Sequence, residues 1–306
     1  MGFHDLTTGN KSTNAAETPR IAVVGHVEWV QFARVSRVPR AGEIVHARDP
    51  FAEPAGGGAV AAVQAARLAG EAVLMTVLGD DNHGRRSVAR LRELGVVVHS
   101  ASSTAATRRA TALLDDEGER TITTFGPRLE PAGIDEELPW NLLGEMDGVY
   151  FTAGDVEALR AARAARVLVT SPRALDALGH GVPLDALVLS GKDGIEREEA
   201  AAAARDAALV VTTDGARGGS YRTRDGESGT WDASPPPAPP VDSYGCGDSF
   251  AAGLTYGLAA GLALRDALEL AARCGAACLS GRGPYRRQLR LAPVEDGAEP
   301  AQPPRR

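Results

Sequence analysis

Residues 242 to 250 read Asp-Ser-Tyr-Gly-Cys-Gly-Asp-Ser-Phe, and a helical segment, AAGLTYGLAAGL, follows at once. The proline-rich stretch at 235–241 cannot be helical, so regular structure resumes only after the glycines. Phe250, Leu254 and Leu258 recur every four residues, which gives this helix one buried face and puts its first turn at Gly245–Asp248. The first turn of a helix carries amides without intrahelical acceptors and the positive end of the dipole, and both favour an anion. Gly245 and Gly247 let phosphate oxygens approach the backbone. Asp248 then stands as a carboxylate where an anion is to bind. That placement makes chemical sense if Asp248 removes a proton from a hydroxyl while the amides of 245–247 hold the charge of a transferring phosphoryl group. The plainer reading is that Asp248 caps the helix, worth about 1 kcal/mol.

The elements that position this turn alternate. Strand-like runs at 21–25, 72–79, 148–154, 166–170, 185–190 and 208–213 are apolar throughout, and helical stretches such as 58–70 and 83–95 separate them. Strands apolar on both faces belong to a parallel sheet covered on both sides, so the fold class is α/β, doubly wound. Segments 42–50 and 107–126 instead alternate in the strand manner, the latter around a turn at Asp115–Gly118. They predict a small β lid over the sheet's carboxyl edge, where open α/β sheets place ligands. The expected organisation is a tail at 1–19, one domain at 20–285 and a tail at 286–306.

Several classes are excluded or disfavoured. The net charge of −7 argues against a general nucleic-acid binder. No run of 18 apolar residues suggests a membrane span, and the N-terminal segment lacks the apolar stretch of a secretory signal. Cys246, Cys274 and Cys278 read as small thiols in a reducing cytoplasm. Neither G-x-x-x-x-G-K-[ST] nor a G-x-G-x-x-G after a strand occurs.

The stretch VDSYGCGDSFAAGL resembles the C-terminal signature of the ribokinase-like, PfkB-type carbohydrate kinases, roughly D-T-x-G-A-G-D-x-F-x-x-G. Asp242, Gly245, Gly247, Asp248, Phe250 and Gly253 match it, with Ser243 for the threonine and Cys246 for the alanine. VPRAGEIV, AGGGAV, LGDDNHG and DEGERTIT follow in family order, so the resemblance spans about 21 to 285. It implies ATP as phosphoryl donor with Mg²⁺, and a small hydroxylated acceptor. Asp248 would be the base, and Gly245, Cys246 and Gly247 the anion hole. Thr213, Gly215 and Gly218 of TDGARGG would belong to the nucleotide site. Asp242 would help hold a monovalent cation such as K⁺. The lids of this family sometimes pair between subunits, so a homodimer is expected.

Departures bear on the acceptor. The first family strand usually ends in an aspartate that binds acceptor hydroxyls; here Val30 stands there, and Glu28, on the same strand face as His26, takes the task. Of the second sugar motif Gly56, Gly57 and Gly58 remain, but Val60 or Ala61 replaces the asparagine. Val60 makes the pocket more apolar, and Trp29 is either an aromatic wall or core. The N-x-x-E element that arranges Mg²⁺ corresponds to LSGKDG, with Ser190 and Asp193 acting through water. Arg108 and Arg109 read as a solvated lid edge, the alternative being contact with an anionic substrate group. The expected activity is transfer of a γ-phosphoryl group to a small sugar. A nucleoside kinase on the same fold and a non-catalytic nucleotide- or metabolite-binding protein are the rivals.

Overall fold

A computed structural model describes residues 18–191, 200 and 202–291. The residues 1–17 and 292–306, and with them most of both expected tails, lie outside the described residues, as does Asp193. In chain order the elements are β1 (Ile21–Val24), β2 (Glu28–Arg34), β3 (Arg48–Ala55), α1 (Gly57–Ala69), β4 (Ala72–Gly79), α2 (Asn82–Glu93) and β5 (Val96–Ser103). The lid hairpin follows as β6 (Arg109–Leu114) and β7 (Arg120–Phe125). Then come β8 (Gly148–Phe151), α3 (Val156–Ala162), β9 (Val167–Thr170), β10 (Leu184–Ser190) and β11 (Ala207–Thr213). β12 (Gly219–Thr223), β13 (Ser228–Trp231), α4 (Cys246–Ala259) and α5 (Leu264–Leu279) complete the chain.

Nine of the described strands form one sheet in the order β13-β12-β11-β10-β9-β8-β1-β4-β5. It is parallel from β11 to β5, and β12 and β13 add an antiparallel edge. The apolar strands follow from burial on both faces. Ile21, Val23 and Leu74 pack toward α1, α4 and α5, while Ala22, Val24 and Met75 pack toward α3 on the other side. The doubly wound class is therefore the observed one.

The lid is a separate four-stranded sheet, β3-β2-β6-β7. Its hairpin turns where the sequence indicates: Asp115 Oδ1 accepts the amides of Glu117 and Glu119 at 3.0 and 2.8 Å. The other arm differs. Residues 42–47 are irregular, and the strand runs from Arg48 to Ala55 against β2. The chain at Glu28 leaves the main sheet and enters the lid, so β2, with its apolar core-facing residues, is a lid strand. The C-terminal end also differs from a tail beginning at 286. Gln288 is buried and its Nε2 donates to Val60 O at 3.0 Å and Ser249 Oγ at 3.1 Å, which ties α1 to α4. Gln64 Nε2 donates to Leu289 O at 2.9 Å.

Candidate active site

Two kinds of helix start occur in this fold. Asp81 caps α2 by accepting the Gly84 amide at 2.8 Å, and Asp155 caps α3 in the same way on Ala158. Helices α1 and α4 begin on Gly56 and Gly245, and no side chain caps either. Gly245 has φ +81°, the left-handed conformation, and a Cβ there would lie 2.7 Å from Val60 Cγ1 of α1. Asp248 sits in the first turn of α4 rather than at its cap, so the plain capping reading does not hold. A Cβ on Gly57 would lie 3.1 Å from Asp248 Oδ1. The uncapped ends of α1 and α4 thus converge on one carboxylate.

They converge beneath a cavity of about 200 Å³. His26 and Glu28 follow β1, Ser171 follows β9, and Ser190 and Thr213 end β10 and β11. Gly56, Gly57, Gly245, Gly247 and Asp248 form its floor, and Arg120 and Ile122 of β7 overhang it. The cavity crosses the carboxyl ends of five neighbouring strands, β1, β8, β9, β10 and β11, about 19 Å at ordinary strand spacing. This is the sheet edge at which doubly wound folds bind ligands.

The electrostatics separate the titratable groups. Burial raises the Asp248 carboxyl, opposed by the charges of Arg173, Arg120 and Arg128. Burial raises Glu28 as well; Arg108, Arg128 and Arg173 oppose it, and the charge of Asp248 adds to it. Glu28 Oε2 lies 3.6 Å from Arg108 Nε, beyond hydrogen-bond range, and both atoms are buried without a hydrogen-bond partner. His26 is pushed well below the usual imidazole range by burial and by Arg128, Arg173 and Arg108, so it is neutral. Arg128 Nη2 stands 3.2 Å from His26 Nδ1; a guanidinium only donates, so Nδ1 accepts and the proton sits on Nε2. Arg128 also donates to Thr152 O at 2.9 Å and pairs with Glu130 at 3.0 Å. The hydrogen bond to Cys278, with burial, pushes the Cys246 thiol up, so it does not supply a thiolate.

Of the residues singled out in the sequence, the structure brings Glu28, Gly56, Gly57, Ser190, Thr213, Gly245, Gly247 and Asp248 to one cavity. Gly215 and Gly218 are not on its wall; they bound the one-turn 3₁₀ helix after β11. A Cβ on Gly218 would run into Trp231 O, and its φ is +81°. Asp242 lies behind the turn, where Oδ1 accepts the Tyr244 amide at 2.9 Å and Oδ2 the Gly283 amide at 3.3 Å. Among the described residues no group of three His, Cys, Asp or Glu side chains is placed to hold a metal.

One expectation about the pocket wall, that of Val60, is corrected, and of the two readings of Trp29 the core one holds. Val60 is fully buried under Gly245, and Trp29 packs on His83 with Arg86 stacked over its ring at 4.3 Å; neither lines the cavity. Both point away because α1 and β2 present those faces to neighbouring elements. Arg108 is not a solvated edge but Glu28's ion-pair partner, whereas exposed Arg109 stacks on Phe125. The functional side chains that sequence reasoning missed are Arg120, Arg128 and Arg173. Only their positions, in the lid hairpin and after a strand's carboxyl end, offered a signal.

Comparison with known proteins agrees with this geometry. The model of the family described as "pfkB family carbohydrate kinase" matches residues 18–175 and 184–289. A fructokinase of Klebsiella pneumoniae is 32% identical over 280 residues, 77% of this chain and 90% of its own length. An ATP-dependent ribose-1-phosphate kinase of Halopiger xanaduensis is 30% identical over 295 residues, 90% of this chain and 96% of that protein. The ribokinase of Mus musculus, 31% identical, matches over 108 residues; the match spans 35% of this chain and a third, 33%, of that enzyme's length. The structure of Arabidopsis thaliana ribokinase complexed with ribose and ATP superposes with a TM-score of 0.72 over 89% of this chain and 96% of that one. At 18% identity that likeness shows a shared fold alone. With its family signature, its lid and its uncapped helix ends in place, the chain belongs to the pfkB family of carbohydrate kinases.

Proposed function

We propose that the chain is an ATP-dependent kinase that phosphorylates a hydroxyl of a small sugar or sugar-like acceptor. One observation carries this reading: Asp248 lies where the uncapped ends of α1 and α4 meet, on the floor of a cavity at the sheet's carboxyl edge. The acceptor lies over His26, Glu28, Gly56 and Gly57, and the nucleotide lies toward Ser190 and Thr213, with TDGARGG beyond. The acceptor's O–H proton passes to the Asp248 carboxylate as its oxygen bonds to the γ-phosphorus. The bond from that phosphorus to the β,γ-bridging oxygen breaks, and ADP leaves. The 245–247 amides and the Arg120 guanidinium stabilise the charge on the phosphoryl oxygens, and most of the rate comes from such positioning and electrostatics.

Mg²⁺ carried on the ATP phosphates supplies further positive charge when bound, and the Ser190 hydroxyl on the wall suits a hydrated ion held through water. Glu28 Oε2, buried without a hydrogen-bond partner, accepts an acceptor hydroxyl. A sugar is favoured over a nucleoside because Trp29 and Val60, the two side chains that would have made the wall suited to a base, face elsewhere. The names of the relatives, fructokinase, ribose-1-phosphate kinase and ribokinase, support the same class. We place the enzyme in the cytoplasm. A homodimer through β7 suits that strand's fully exposed edge, with Ile122 and Phe125 among its exposed apolar side chains.

The test is ADP release from Mg-ATP against a panel of sugars, sugar derivatives and nucleosides, with Asp248→Asn beside the wild type. Acceptor-dependent turnover that falls by about 10²–10⁴-fold in the variant is expected. Tight ATP binding without turnover on any acceptor, identical in both proteins, would instead indicate a binding protein.

A further inference from the structure

His26 meets the cavity with its bonding pattern fixed from behind. Its carbonyl oxygen accepts the Gly58 amide at 3.1 Å, and a Cβ on Gly56 would lie 3.0 Å from its Nε2, so the residue is wedged against the start of α1. Its Nδ1 accepts from Arg128 Nη2 at 3.2 Å. An imidazolium would turn a second N–H toward that guanidinium, so the contact itself selects the neutral ring with its proton on Nε2. Burial and the charges of Arg128, Arg173 and Arg108 favour the same form. Nε2, which has no hydrogen-bond partner among the described residues, is thus a donor only. A Cβ on Gly57 would lie 3.5 Å from His26 Cε1 and 3.1 Å from Asp248 Oδ1, so this ring edge and the base face each other across one glycine.

Arg128 spends all its nitrogens within the protein. Nη2 also donates to Thr152 O at 2.9 Å, Nη1 donates to Arg173 O at 2.8 Å, and Nε stands 3.0 Å from Glu130 Oε1. Thr152 follows β8, Arg173 follows β9 and His26 follows β1, so one planar fork braces the carboxyl ends of three neighbouring strands. Glu28 offers the acceptor the opposite chemistry. An ionised carboxylate only accepts, and its Oε2 is buried without a hydrogen-bond partner.

Resting on the kinase reading, we propose that Arg128 is a positioning residue that holds His26 as a fixed N–H donor to one acceptor oxygen near the reacting hydroxyl, so that His26 and Glu28 read the polarity of two different acceptor positions. The position that meets His26 must carry an oxygen able to accept. The position that meets Glu28 must carry a group able to donate. A sugar hydroxyl satisfies either, whereas an ammonium, which only donates, is admitted at Glu28 and rejected at His26. Because the two side chains cannot exchange roles, the acceptor enters in one orientation, and that orientation selects the hydroxyl that reaches Asp248.

The experiment has two arms. Nitrogen NMR of the ¹⁵N-histidine-labelled protein reads the His26 ring directly, with His26→Asn assigning its signals. One neutral tautomer, protonated on Nε2, is expected from about pH 8 to about pH 5, where an ordinary imidazole has become charged. Arg128→Met should release the ring to a mixture of forms, and Arg128→Lys, which keeps a donor, should hold it in part. In the second arm, pentoses and hexoses and their single-position deoxy and amino derivatives are assayed for ADP release and, without nucleotide, for binding by calorimetry. One position should tolerate neither change, at a loss of about 10-fold or more in kcat/KM, and another should tolerate the amino group but not the deoxy. His26→Asn, which keeps an acceptor for Arg128 but no donor at Nε2, should erase the first penalty alone, and His26→Gln should restore part of it. An Nδ1-protonated or charged ring at pH 7, or deoxy penalties unchanged in His26→Asn, would overturn the inference while leaving the kinase reading intact. The expected tautomer and a His26-dependent binding preference with no turnover on any acceptor would do the reverse.

Discussion

Gly57 and Asp248 are in near contact across two helix ends: a Cβ on Gly57 would lie 3.1 Å from Asp248 Oδ1 and equally close to Thr152 Oγ1. Gly57 is the first residue of α1 and has no left-handed φ, so alanine suits its backbone and raises helix propensity by up to about 1 kcal/mol. The added methyl must displace the carboxylate. Gly57→Ala is expected to keep or raise the melting temperature while lowering kcat/KM by about 10-fold or more. Parallel melting and kinetic measurements check the split; equal activity would show that Asp248 does not need its place beside α1.

As the proposed base, Asp248 must be ionised to act, and burial raises its carboxyl above the ordinary range. kcat/KM is therefore expected to fall as pH drops through an inflection above the ordinary carboxylate value of about 4. A pH–rate profile checks this, and an inflection at or below that value contradicts the assigned environment. The charge of Asp248 adds, as the smallest of the causes, to the rise of Glu28, the second member of the cavity's carboxylate pair.

Glu28→Gln isolates the other member. It keeps the shape but exchanges an acceptor oxygen for a donor facing Arg108. KM for the acceptor should rise by about 10-fold or more, with KM for ATP unchanged. A KM that rises for both substrates would mean that the substitution disturbs the lid rather than one contact.

Glu53 lies at the junction of lid and core, where a Cβ on Gly283 would come within 3.2 Å of its Oε1. Burial pushes its carboxyl up to about 7 from an ordinary 4.5, against the charges of Arg90, Arg67 and Arg282. The folded protein thus binds this proton more tightly than the unfolded chain. The stability it contributes is fully present below about 4.5 and is lost as pH rises to about 7. Glu53→Gln should melt higher than wild type at pH 8 and alike at pH 4, as thermal unfolding at the two pH values will show.

Gln288 holds α1 and α4 in register through its two hydrogen bonds. Gln288→Ala leaves buried acceptors unpaired and should destabilise the fold by about 2 kcal/mol in denaturant titrations. Because the floor of the cavity lies between those helices, kcat should fall as well.

What was legible in the sequence was whatever depends on local chain order. Strands buried on both faces must be apolar throughout, so β1, β4, β8, β9, β10 and β11 could be read directly. The glycine pair and Asp248 are close in sequence, so their shared turn was legible too. β2 was not, because a chain that leaves one sheet for another does so by tertiary pairing, and the 42–50 segment was misplaced by about half its length for the same reason. The three arginines that set the charge of the cavity come from the lid hairpin, the segment before α3 and the turn after β9, and no spacing relates them. Nor does spacing tell that Trp29 and Val60 face away, or that Gln288 reaches back to α1. Those relations arise only when the sheet and lid close, since long-range packing selects which face of each element meets the ligand.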